Sequence, residues 1–190
     1  MSFGGLANCS LCWDDAEICQ CSQLDIDNYY KKLKDKEKQM SSNRINFYKI
    51  ADPYGDFSNF SKHPIVLKGK SWLTTETYFQ AQKFAGTEYE ESVRLTKGPR
   101  AAAAMGRDRS LPLRADWETV KESVMKDALL AKIDQYPKIK ELLLSTGDAE
   151  IVEHTENDNY WADGGDGSGK NRLGVLWMEI RKELQNEKNG

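Results

Sequence analysis

Apolar and polar positions alternate along this chain in short runs, most of them with the period of a helix. From Leu24 to Met40, LDIDNYYKKLKDKEKQM gives a charged helix with a weak apolar face of Leu24, Tyr29, Tyr30 and Leu33, capped by Asp25 or Asp27. INFYKI, starting at Ile45, alternates like a strand, and Asp52, Pro53, Tyr54 and Gly55 turn the chain. Pro64 to Trp72 reads as a hairpin turning around Lys68, Gly69 and Lys70. Thr74 to Ala85 is a helix with Thr74 or Thr75 as cap, and Glu88 to Thr96 is a shorter one. Pro99, suited to a first helical position, opens a third that Gly106 closes. The clearest amphipathic helix is Trp117 to Ile133, with Val120, Val124, Met125, Ala128, Leu129 and Ile133 inward. Pro137 to Leu144, a strand at Ile151 to Thr155, and a helix from Leu173 to Leu184 complete the set. The last of these turns Leu173, Leu176, Trp177 and Ile180 inward. No repeat and no second core are present. One domain is expected over 44–187, preceded by an N-terminal region, 1–43, that ends in a linker of Ser41, Ser42 and Asn43.

Composition narrows the setting. Of 190 residues, 39% are hydrophobic and 30% charged, as in a soluble globular protein, and no apolar run reaches the roughly 18 residues a membrane helix needs. The opening MSFGGLANCS lacks a basic stretch followed by an apolar one, so a cytoplasmic location with no membrane partner is expected. A net charge of −3 argues against broad contact with a nucleic-acid backbone but leaves room for a local phosphate pocket. Nothing in the pattern selects an oligomeric state. The four cysteines, Cys9, Cys12, Cys19 and Cys21, crowd the first 21 residues. They are either a tetrahedral zinc set, opened by a C-x2-C pair, or free thiols kept reduced.

Two stretches carry chemistry. EHTENDNYWADGGDGSGKNRLG (153–174) combines Trp161, Asp163 and the glycines Gly164 and Gly165 with Lys170 and Asn171. An aromatic wall, a carboxylate and a backbone that a ligand can approach make a polar pocket; a long solvated loop is the alternative. In TTETYFQAQKF (74–84), Glu76, Gln80 and Lys83 share one helix face, away from Phe79 and Phe84. The positive end of the helix dipole is expected to keep Glu76 ionised. A solvent-facing strip is the competing reading of the same spacing. Arg107, Arg109 and Arg114 gather after Gly106, to hold a phosphate or to pair with acidic neighbours.

Together GDFSNF (55–60), TTETYFQAQKF (74–84), MGRDRSLPLR (105–114) and the 153–174 segment resemble the YbiA-like proteins of the NADAR superfamily. The resemblance runs from about residue 45 to 184 and leaves out residues 1–43. It implies a compact, mostly helical α+β domain that hydrolyses N-glycosidic bonds without a cofactor. In that family the substrates are early phosphorylated riboflavin intermediates, whose reactive ribosylamines are removed as damage control. Other branches release ADP-ribose from guanine bases in nucleic acid. A nucleotide-binding module without turnover is the non-enzymatic alternative.

Cleaving a ribosyl C–N bond develops positive charge at C1 and requires a proton on the leaving nitrogen. The expected catalytic groups are Glu76 and Asp163, meeting around one anomeric carbon, with Lys83 as a candidate Schiff-base nucleophile. Trp161 is expected to stack on the base. Asn59, Gln80, Gly164 and Gly165 would line the pocket, while Arg107, Arg109, Lys170 and Asn171 would hold phosphate and sugar.

Overall fold

The structure is a computed structural model that describes residues 22–41 and 43–189. Cys9, Cys12, Cys19 and Cys21, the predicted zinc ligands, lie outside the described residues. In chain order the elements are α1 (Gln23–Ser41), β1 (Arg44–Phe47), a single 3-10 turn at Gly55–Phe57, and the strands β2 (Ile65–Leu67) and β3 (Lys70–Trp72). Then come α2 (Thr75–Gln82), α3 (Glu88–Arg94), α4 (Pro99–Arg107), α5 (Trp117–Gln135), α6 (Pro137–Ser145), β4 (Glu150–Glu153) and α7 (Arg172–Asn189). Caps and prolines set several of these boundaries. The Thr74 hydroxyl accepts from the Thr77 amide at 3.1 Å to start α2, and Pro99 and Pro137 open α4 and α6. Among the described residues no helix is long and apolar enough to cross a membrane.

β1 and β4 pair in parallel, Arg44 opposite Glu150 and Phe47 opposite Glu153. A parallel pair needs a crossover; here it comprises the hairpin and five helices, so the two strands close the domain from both ends of the sequence. Side chains finish what the short sheets leave open. Along the outer edge of β4, Asn171 accepts from the Glu153 amide at 3.0 Å and donates to the Ile151 carbonyl at 2.8 Å, as a third strand would. Gly174 lets α7 lie this close, since a Cβ there would stand 2.0 Å from the Ile151 carbonyl oxygen. Gln135 does the same for β2, accepting from and donating to Val66.

The core is one cluster in which Phe57, Trp72, Tyr78, Met125, Leu129 and Trp177 are almost wholly buried. At its centre α2 packs against α3, α4 and α5 and buries all eight of its residues. Five of the eight are polar. Burying that many polar groups is costly unless each is hydrogen-bonded, so α2 is where chemistry rather than packing sets the sequence.

A buried lysine secures the loop over this helix. The Lys132 ammonium donates to the Asp56 carbonyl, to the Ser58 carbonyl at 3.1 Å and to the Ser61 hydroxyl at 2.6 Å. Burial pulls its pKa down to about 7, against the charge of Asp56. Lys132→Met would strip three acceptors of their donor and is expected to lower unfolding free energy by about 3 kcal/mol in urea titrations. A change below about 1 kcal/mol would show that the loop's own turns suffice.

Candidate active site

The loop that Lys132 holds lies across the start of α2. The Asn59 carbonyl accepts from the Glu76 amide at 3.1 Å and from the Thr75 hydroxyl at 3.1 Å, and the Asn59 amide reaches the Met125 sulfur at 3.3 Å. One turn along α2, Gln80 donates to the Glu76 carboxylate at 2.7 Å. The other end of that amide, Oε1, is buried without a hydrogen-bond partner among the described residues, pressed onto Gly106. A Cβ at position 106 would stand 1.8 Å from it, so any larger residue there would displace the Gln80 amide. Lys83, just past α2, donates to the Gly106 carbonyl at 2.8 Å and lies 5.8 Å from the ring centres of Phe79 and Trp117.

These side chains form the floor of a cleft of about 240 Å³. Glu76, Gln80, Lys83, Asn59 and Arg107 line it together with Phe79 and Trp161, whose rings meet edge to face at 5.2 Å. The C-terminal ends of the parallel strands contribute as well: Tyr48 follows β1 and Glu153 ends β4. Asp158 completes the wall, held by the Tyr160 and Trp161 amides at 2.7 and 2.6 Å. Among the described residues no set of His, Cys, Asp and Glu side chains is arranged to hold a metal ion.

Electrostatically the floor is an acid and an amine, each driven toward its neutral form. Burial raises the Glu76 pKa, Asp158 adds to the rise, and the Gln80 hydrogen bond with the charges of Lys83 and Arg107 works the other way. Removal of water works against the helix dipole here, so the Glu76 anion depends on Gln80, Lys83 and Arg107 and not on the helix start alone. Lys83 is lowered by burial, and further by Arg109 and Arg107, while Glu76 pulls it back up.

Not every predicted residue reaches the cleft. Asp163, expected to face Glu76, does not line it. Its side chain, 4% exposed, is taken up by Arg44 at 2.7 Å, His154 at 2.9 Å and the Gly165 amide at 2.9 Å. Burial works against its ionisation, but the bonds from His154 and Gly165 hold the carboxyl below the usual range. Asn171 spends its amide on β4. Gly164 and Gly165, at φ +74° and +80°, form a turn closed by its own backbone bonds, outside the cleft lining. Lys170 lies over the Tyr160 ring at 5.3 Å, and Arg109, exposed, acts on Lys83 by charge alone. Phe79, read as facing elsewhere, is in the wall because α2 is enclosed on all sides. Asp163→Asn is accordingly expected to cost about 2 kcal/mol of stability through the loss of the partly exposed Arg44 pair. An unchanged melting temperature with a hundredfold loss of turnover, on the order of a direct catalytic role, would return Asp163 to the chemistry.

Residues 46–185 match the NADAR domain family. The chain belongs to the NADAR family. Among its NADAR relatives, N-glycosidase YbiA of Escherichia coli is 57% identical over 149 residues, covering 78% of this chain and 93% of that one. An N-glycosidase of Nostoc punctiforme is 42% identical, covering 75% of this chain and 93% of its own length. The chloroplastic riboflavin biosynthesis protein PYRR of Zea mays is 39% identical over 75% of this chain but only 25% of its own length. The NMR structure of E. coli YbiA superposes with a TM-score of 0.71 at 58% identity, covering 76% of this chain and 86% of that chain. Mostly helical with short strands, this NADAR domain has the α+β fold expected of it.

The cleft also holds residues to which sequence reasoning gave no role of their own: Tyr48, Phe60, Asn157, Asp158 and Glu153. For Glu153 and Tyr48 a signal existed, because ligands gather beyond the carboxyl ends of parallel strands. It could not be used without knowing that β1 and β4 pair across a hundred residues of chain, from about Phe47 to Glu150. Asp158 gave no local sign, since Asp in a loop is expected for turn reasons alone.

Proposed function

We propose that this protein is an N-glycosidase that hydrolyses the C1–N bond between base and ribose 5′-phosphate in early riboflavin intermediates, removing reactive ribosylamines before they do damage. One observation carries the reading: a buried carboxylate and a half-buried amine, Glu76 and Lys83, face a single small cleft with an aromatic wall. The ribose would sit over Glu76 and Lys83, and the heterocycle against Trp161 and Phe79, whose faces hold flat rings without many polar contacts. Arg107, which lines the cleft and has no ion-pair partner among the described residues, suits a phosphate at the mouth. A volume of about 240 Å³ lies below the roughly 300–1,000 Å³ of sites for drug-sized ligands. It suits one nucleotide better than the two-phosphate arm of ADP-ribose. The names of relatives support both halves of the reading: two are N-glycosidases and one a riboflavin biosynthesis protein.

In this arrangement Glu76 stabilises the positive charge that develops at C1. The ring-opened form of a ribosylamine presents an aldehyde-like carbon, to which the neutral fraction of Lys83 can add before water releases the sugar. The test is mass spectrometry of products from a ribosylaminopyrimidine 5′-phosphate and, in parallel, an ADP-ribosylated oligonucleotide. Free base and ribose 5′-phosphate from the first alone is the expected result. Turnover of the oligonucleotide alone would overturn the substrate assignment, and turnover of neither would overturn the enzymatic one.

A further inference from the structure

Glu153 occupies an unusual position for a carboxyl group. Its backbone is pinned on both sides: the amide donates to Asn171 and the carbonyl accepts from the Asp163 amide at 3.0 Å. Its side chain, half-buried, enters the cleft from the end of β4. There it has no hydrogen-bond or ion-pair partner among the described residues. The charged groups around it are acidic on the near side, Asp158, Glu76 and Asp163, the last already paired with Arg44 and His154. The cations of the cleft, Lys83 and Arg107, act on Glu76 instead.

The two glutamates therefore differ in kind. Glu76 has an amide donor and two cations to hold its charge, whereas Glu153 has none of these. Like charges in one site cannot all ionise, so the proton stays on the group with least support for the anion. Burial, then the repulsion of Asp158, Glu76 and Asp163, pushes Glu153 up to about 8. Its carboxyl is thus held toward the acid form, facing a cleft in which a nitrogen must leave with a proton.

We propose that Glu153 is the proton donor to the departing base, working opposite an ionised Glu76. This rests on the N-glycosidase reading above and assigns a role within the same cleft. As the C1–N bond breaks, its electron pair goes to nitrogen, which takes the Glu153 proton. Water then supplies the oxygen that ends on C1, directly or after Lys83 has been bound there, and its spare proton restores Glu153. Atoms and charges balance with water as the only co-reactant.

The experiment compares wild type and Glu153→Gln on a ribosylaminopyrimidine 5′-phosphate across pH, and follows the carboxyl carbon of Glu153 by NMR titration in the free enzyme. In the wild type, kcat/KM is expected to fall as pH rises through about 8, where the acid loses its proton. In Glu153→Gln the rate should drop about 100-fold and that descending limb should disappear. The carboxyl carbon should titrate well above the ordinary carboxylate range. A limb that persists in Glu153→Gln, activity within about threefold of wild type, or a carboxyl that titrates with ordinary glutamates would each overturn the assignment. If the variant does not fold, the NMR titration of the wild type decides alone. Wild-type protein that cleaves no N-riboside overturns the parent reading and this one with it. An active wild type with an equally active variant overturns this one only.

Discussion

Replacing Glu76 by glutamine is expected to leave the fold intact and to lower kcat for base release at least 100-fold, about 3 kcal/mol of transition-state stabilisation. Glutamine has the shape of the carboxylate and can keep one contact to Gln80, so the 2.7 Å bond along α2 is altered rather than lost. What disappears is negative charge under C1. That charge has no partner in the neutral ground state of the sugar, so KM should change little while kcat falls. Stability should move the other way. Glu76 is 7% exposed and its pKa is raised by burial, so the folded state resists an ionisation that the unfolded chain undergoes freely. The fold therefore loses stability as pH climbs above the ordinary glutamate range, and the variant escapes that loss. Glu76→Gln should be more stable than wild type at neutral pH, with the difference vanishing below about pH 4. More than half of wild-type turnover in a folded variant would remove Glu76 from the chemistry.

This pairing of gained stability with lost activity also explains which parts of the site could be read from sequence. Secondary structure was legible because each helix announced itself by period, cap or proline, as at Thr74, Pro99 and Pro137. The line Glu76, Gln80 and Lys83 was legible because helix geometry alone places them together. The strained choice, a helix with five of eight residues polar and all of them buried, is local conflict of the kind that functional sites retain. What sequence could not give was partner choice. Asp163, Gly164, Gly165 and Asn171 have the residue types of a ligand site, yet Asp163 is claimed by Arg44, more than a hundred residues away, and Asn171 by the edge of β4. A carboxylate that finds a cation in the fold is held by it; one that finds none, such as Glu153, is pushed toward its acid form by burial and acidic neighbours. That difference depends on long-range pairing, and residue type and spacing do not encode it.

Lys83 separates a covalent mechanism from a purely electrostatic one. Burial lowers its pKa, with Arg109 and Arg107 adding to the effect, so a larger share of the amine is neutral than for a surface lysine. If that neutral amine adds to C1, borohydride during turnover should fix the sugar to the protein, and peptide mapping should find the added mass at Lys83 alone. Lys83→Met retains the apolar stem against Phe79 and Trp117, gives up the bond to the Gly106 carbonyl, and should abolish both the adduct and more than 99% of activity, a loss on the order of that for other covalent nucleophiles. Lys83→Arg is the sharper comparison. Guanidinium keeps a positive charge beside Glu76 but is never neutral and cannot form the imine. An inactive Arg variant together with a wild-type adduct supports the covalent route. An Arg variant within about tenfold of wild type, or an adduct that survives in Lys83→Met, means that the ammonium only holds charge and that water attacks the sugar directly. The acid side of the pH profile gives an independent reading. Activity that depends on neutral Lys83 must fall as pH drops and the amine gains its proton. Activity that depends on its charge must instead persist there until Glu76 is protonated, which burial shifts above the ordinary glutamate range.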